Sequence, residues 1–130
     1  VSTSEVYKKY FDKYKESYLS SETDFENRRN FLRSRGFNNL NIFNQGINLH
    51  NDLQKILESE NKSVNNALKI FSEINECLCF SMSGSGPTCY AIFDNYLNAS
   101  IVYNKNKEYF LKSGFNSWIC EFLSSGITII

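Results

Sequence analysis

Ser83-Gly84-Ser85-Gly86-Pro87-Thr88 places two glycines among three hydroxyl side chains, a combination suited to holding an anion. Glycine adopts positive φ without a Cβ clash and lets backbone amides come close to a ligand. Successive amides in such a turn form an anion-binding concavity, and the hydroxyls of Ser83, Ser85 and Thr88 can donate to the same group. The flanks are apolar and β-prone: Cys77-Leu78-Cys79-Phe80-Ser81-Met82 leads in and Cys89-Tyr90-Ala91-Ile92-Phe93 leads out. The residues alone therefore fit two readings, a plain β-hairpin turn and a phosphate-contacting loop.

Other candidates are weaker. Thr3 and Tyr7, four residues apart, share one face of a helix. Thr3 reads equally well as a helix cap and Tyr7 as packing. His50-Asn51-Asp52 holds the chain's single histidine, but Asp52 suits a helix N-terminus and Asn51 can cap, so the segment reads as structural. Arg28, Arg29, Arg33 and Arg35 form the main basic cluster and read as a solvated helix face rather than a phosphate clamp. Cys77, Cys79, Cys89 and Cys120 lie in apolar segments, not in metal-binding pairs. They are expected as buried free thiols, and no zinc site is expected.

The elements that would position these residues follow from apolar spacing. A first helix runs from Ser2 or Thr3 to about Ser17 with Val6, Tyr7, Tyr10, Phe11, Tyr14 and Tyr18 along one stripe, read as core or domain interface. Thr23-Asp24-Phe25-Glu26 has the capping-box pattern for a second helix to about Arg35, stopped by Gly36. Residues 36–46 read as a loop. A third helix is expected from near Leu49 to Ser59, and a fourth after Asn61-Lys62-Ser63 with Val64, Ala67, Leu68, Phe71 and Ile74 inward. Strands at about 77–83 and 88–94 turn at the glycine loop. A helix from Asn98 to Lys112 stops at Gly114, and a last strand spans Ser117–Leu123. The order in the second half suits an α+β sandwich, helices over an antiparallel sheet.

The chain has 130 residues, 42% of them hydrophobic, with 14 basic and 14 acidic side chains. That fits one domain with a sizeable core. Zero formal net charge advertises no nucleic-acid or anionic-membrane partner. No apolar run reaches membrane-spanning length and no signal peptide is visible.

Met82 through Phe93 resembles the third signature motif of the GHMP small-molecule kinases. Val1-Ser2-Thr3 with Val6-Tyr7, then Leu49-His50-Asn51-Asp52-Leu53 with Gln54 at a position usually Glu, and Trp118-Ile119-Cys120 through Gly126-Ile127 resemble further segments. These point to the branch acting on 4-diphosphocytidyl-2-C-methyl-D-erythritol, especially its cyanobacterial forms. Together they cover about 50 residues in family order, and residues 17–46 match poorly.

The resemblance implies a ferredoxin-like GHMP-kinase C-terminal domain with extra N-terminal helices, a single domain over residues 1–130. It implies ATP and Mg²⁺ as cofactors, a small-molecule substrate phosphorylated on its 2-hydroxyl in the non-mevalonate route to isoprenoids, and a bacterial cytoplasm or plastid stroma as setting. By the same resemblance, Ser83, Gly84, Ser85, Gly86 and Thr88 face the nucleotide phosphates, while Thr3 and Tyr7 border the substrate cleft. The catalytic Asp, its Lys partner and the main nucleotide loop belong to a preceding domain, which becomes the expected partner. No catalytic residue is expected in this chain, which begins at Val1 and reads as the C-terminal portion of a longer protein. The alternatives are a homoserine- or mevalonate-type kinase and a non-catalytic α+β ligand-binding module.

Overall fold

The computed structural model describes residues 1–18, 21–34 and 50–122. Its order is α1 (Thr3–Tyr18), α2 (Glu22–Ser34), α3 (Gln54–Glu60), α4 (Lys62–Ser72), β1 (Cys79–Met82), β2 (Cys89–Ile92) and α5 (Tyr96–Lys112). The α+β class stands. Among the described residues the sheet is the β1–β2 hairpin, antiparallel, with Phe80 opposite Ala91 and Met82 opposite Cys89.

One core joins the layers. Val6 of α1, Leu53 and Leu57 around the start of α3, Val64 and Leu68 of α4, and Met82 of β1 bury together, with Tyr10, Phe80 and Cys89 packed against them. Burying each large apolar side chain contributes about 1.5–3 kcal/mol. The expected α1 stripe is split: Val6 is buried and Tyr10 half-buried, whereas Tyr7 and Phe11 are each 57% exposed. The physical reason is angular. A 3.6-residue turn swings positions 7 and 11 away from the line through 6 and 10. A surface ion pair from Lys9 to Glu60 also ties α1 to the end of α3, and the hydrogen bond and charge of Glu60 hold the Lys9 amine above its ordinary pKa.

Local signals set the boundaries, often a few residues from where the sequence suggested. The cap of α2 is Ser21, whose Oγ accepts from the Asp24 amide at 3.1 Å; the Thr23 box is overridden because the helix has already begun. Arg35, Gly36 and the expected loop at 36–46 lie outside the described residues. α3 begins at Gln54 rather than near Leu49, because the Asn51 side chain folds back onto the Leu53 amide (3.0 Å) and delays the first helical turn. Asn61 ends α3 and caps α4: its amide donates to the Leu57 carbonyl at 2.7 Å, and its Oδ1 accepts from the Ser63 and Val64 amides.

The strands are shorter than expected. Cys77 is spent turning out of α4, where its amide donates to the Ile74 carbonyl, and Leu78 contributes one cross-hairpin bond to the Ile92 carbonyl (2.8 Å) before the regular ladder begins at Cys79. α5 starts at Tyr96 instead of Asn98, because Asn95 accepts from the Asn98 amide at 2.8 Å. It ends as expected at Gly114, with φ +80°, and the amides of Gly114 and Phe115 reach back to the Leu111 and Phe110 carbonyls. The expected last strand is not formed over residues 117–122, which carry no ladder bonds; its final residue, 123, lies outside the described set. Among the described residues, no helix is long and apolar enough to cross a membrane.

The four cysteines are free. Burial pushes the thiols of Cys77, Cys79 and Cys89 above their ordinary range. Cys120 departs from the expectation of a buried thiol, since it lies exposed on the irregular segment after α5. Thiolate is the reactive form, so a maleimide at neutral pH should label Cys120 first in a time course read by peptide mass. Replacing Asn61 by Ala should lower unfolding free energy by about 1 kcal/mol, the usual cost of a lost N-cap, as read by urea denaturation.

Candidate functional site

The glycine loop is built as a turn within a turn. The Ser83 amide donates to the Thr88 carbonyl at 2.8 Å and closes the hairpin, while the Gly86 amide donates to the Ser83 carbonyl at 2.9 Å inside it. Gly84 has φ +54° and Gly86 φ +73°, with a cis peptide between Gly86 and Pro87. Both glycines therefore occupy conformations that L side chains rarely adopt. Their surroundings differ. A Cβ on Gly84 would meet nothing within 4 Å, so that backbone is open to an approaching group. A Cβ on Gly86 would lie 2.7 Å from Met82 Sδ and 2.8 Å from Leu57 Cδ1. One glycine faces outward and the other is pressed onto the core.

The loop is held from below by two side-chain amides. Asn51 Nδ2 donates to the carbonyls of Met82 (2.6 Å) and Gly84 (2.9 Å). Gln54 Oε1 accepts from the Met82 amide and from Ser81 Oγ, both at 2.9 Å. Ser81 is the buried polar residue at 2% exposure, and Gln54 supplies the acceptor that makes its burial tolerable. Sequence reading missed both clamps. The available signal was an Asn and a Gln three residues apart at a helix start, where such side chains commonly seek backbone partners. Asn51 makes structural contacts across the fold as well as locally, and His50, Asn51 and Asp52 also border the open cleft beside the loop. His50 Nε2 and Asp52 Oδ1 meet at 2.8 Å on the surface.

The two sets of candidate residues come together. Thr3 Oγ1 and Ser85 Oγ are 2.9 Å apart across 82 positions of sequence, so the start of α1 touches the loop directly. Beside that contact lies an open cleft of about 860 Å³, bordered by Tyr7, Phe11, Asn51, Ser83, Gly84 and Tyr90. Tyr7, Ser83 and Gly84 thus line the cleft. Thr3 and Ser85 form the bridge at the loop. Gly86 faces the core, and Thr88 closes the hairpin through its carbonyl while its side chain is exposed. Phe11 and Tyr90 were not singled out from the sequence as cleft residues. Of the arginine cluster, Arg29 pairs with Glu26 along α2 at 3.1 Å, as a solvated helix face would.

The arrangement offers a glycine backbone open to a ligand, hydroxyls beside it, and an aromatic wall across the cleft. No group of three His, Cys, Asp or Glu side chains among the described residues is gathered closely enough to hold a metal ion.

A family model described as GHMP kinases C terminal matches residues 28–112. Among curated proteins, the chain is 47% identical over its whole length to the 4-diphosphocytidyl-2-C-methyl-D-erythritol kinase of Prochlorococcus marinus strain AS9601, covering 42% of that protein. It is 45% identical to the kinase of the same name from strain MIT 9515, again covering 42%. With the one from strain NATL1A it shares 37% identity over 99% of its own length and 40% of the relative's. The chain therefore spans about two fifths of the length of these relatives. No solved structure matches.

The glycine geometry separates two substitutions. Gly86→Ala should destabilise by about 2–4 kcal/mol, adding the left-handed backbone cost to overpacking against Met82 and Leu57. Gly84→Ala should cost about 1 kcal/mol from backbone alone. Equal midpoints for both variants in chemical denaturation would contradict this asymmetry.

Proposed function

The chain belongs to the GHMP kinases through their C-terminal domain, and from that premise we propose that it serves as the C-terminal domain of a kinase phosphorylating the 2-hydroxyl of 4-diphosphocytidyl-2-C-methyl-D-erythritol with ATP. Residues 1–130 form that domain, and a preceding catalytic domain is its partner. The observation that carries this reading is the meeting of Thr3 with Ser85 beside the cleft. It joins the loop assigned to the phosphates with the helix assigned to the acceptor alcohol.

The loop fits the phosphate end of ATP. Gly84 leaves its backbone open, and the hydroxyls of Ser83 and Thr88 are exposed. ATP, when bound, supplies the phosphoryl group. Ser83, Gly84 and Ser85 donate hydrogen bonds to phosphate oxygens, and Gly86 and Thr88 keep the turn in shape. Tyr7 walls the acceptor side of the cleft and Thr3 orients the bound alcohol. Phosphoryl transfer depends mainly on positioning and charge stabilisation, so a domain without catalytic residues still sets the rate. Mg²⁺ and the catalytic groups belong to the remainder of the parent. The exposed Leu97 and Ile101, one turn apart on α5 and 67% and 57% accessible, suit a face that docks against another domain.

The test is ATP-dependent ADP release by the intact parent, offered 4-diphosphocytidyl-2-C-methyl-D-erythritol, homoserine or mevalonate. Turnover is expected with the cytidylated alcohol alone. Gly84→Val should reduce kcat/KM for ATP by about tenfold or more, the loss of roughly 1.4 kcal/mol of transition-state binding. Turnover of homoserine or mevalonate instead would move the assignment to another branch. A folded parent inactive on all three would bring forward the ligand-binding module.

A further inference from the structure

The H-N-D-L-Q segment before α3 does more than begin a helix. Asn51 Nδ2 donates to both Met82 O and Gly84 O while Oδ1 accepts from the Leu53 amide. Two carbonyls can only accept and an amide N–H can only donate, so these partners fix which side-chain atom is nitrogen and which is oxygen.

The consequence reaches the loop through peptide planarity. In a trans peptide the C=O and the following N–H point in opposite directions. Turning the Met82 carbonyl toward Asn51 sends the Ser83 amide the other way, where it meets the Thr88 carbonyl at 2.8 Å. The next clamped unit obeys the same geometry. With the Gly84 carbonyl drawn to Asn51, the Ser85 amide is turned away from the clamp, and it has no acceptor among the described residues. The open space beside Gly84 leaves room for an anion to approach that turn.

We propose that Asn51 is a positioning residue for the nucleotide loop: by holding the Gly84 carbonyl inward it aims the Ser85 amide at the phosphate. The proposal rests on the kinase reading for its ligand and on the Asn51 geometry for its mechanism. Asp cannot substitute, because it keeps the acceptor for Leu53 but loses both donors and sets a carboxylate against two carbonyl oxygens.

The experiment uses the full-length parent carrying Asn51→Asp, with kinetics normalised to folded protein and hydrogen exchange followed across residues 83–86. Expected are a fall of about tenfold in kcat/KM for ATP, a KM for the acceptor alcohol within twofold of wild type, and faster exchange of the loop amides. A general loss of packing would instead lower the folded fraction and leave the kinetics of the remainder intact. Should Asn51→Asp fail to fold, Asn51→Ala removes the same donors without adding charge. Normal wild-type turnover with unchanged ATP kinetics and unchanged exchange in the variant overturns the positioning role while the kinase reading survives. A wild-type parent inactive with ATP on every alcohol, yet with 83–86 exchange that the variant accelerates, overturns the kinase reading and the phosphate target but supports the clamp.

Discussion

Everything near the cleft hangs from the satisfaction of a few polar groups at the seam between α3 and β1. Ser81 and Met82 are nearly inaccessible, so their hydroxyl and backbone groups need partners inside the protein. Gln54 meets two of those needs and Asn51 a third. An unmet buried donor or acceptor costs about 1–3 kcal/mol, comparable to the gain from burying one apolar side chain. The seam therefore fixes the register of the hairpin on the helices as firmly as the apolar core does. It also explains why α3 is short. The residues that would have formed its first turn are engaged with β1 and the loop.

α1 completes the cleft by serving two environments at once. Val6 and Tyr10 anchor it to the core beside Leu53 and Leu57, while Tyr7 and Phe11 stand on the cleft side. Thr3 reaches the loop at one end and Lys9 pairs with Glu60 farther along. A helix whose aromatic residues were all buried would leave no wall for a ligand. The one-residue offset turns Val6 to the core and Tyr7 and Phe11 to the cleft, while half-buried Tyr10 touches both.

Much of this was legible because it is local. The glycine loop, the apolar spacing of α4 and the stop at Gly114 each depend on residues within a few positions, and sequence carries such signals directly. What was not legible is long-range. Nothing around Asn51 announces that its partners lie 31 and 33 positions onward, or that Thr3 would meet Ser85. The stripe on α1 was read as one apolar face because spacing reveals a helix more readily than it reveals how wide a strip the neighbours cover. The segment after α5 shows the converse failure. Trp118, Ile119 and Cys120 have strand-like composition, but a strand needs an edge to pair with. Among the described residues, 117–122 pairs with neither edge of the β1–β2 hairpin.

The inward glycine ties the upkeep of the fold to its use. Gly86 rests on Met82 and Leu57, so the floor of the loop is also the ceiling of the core. An evolving or engineered sequence is not free to enlarge either side chain for extra packing, because added volume there would be transmitted to the turn above it. Trimming them is equally constrained, since a void beneath the turn would let it sag. Variation in this family of chains should therefore be most restricted where Leu57, Met82 and Gly86 touch. Adaptation to warmer or colder habitats has more latitude on solvated surfaces such as the Glu26–Arg29 face of α2.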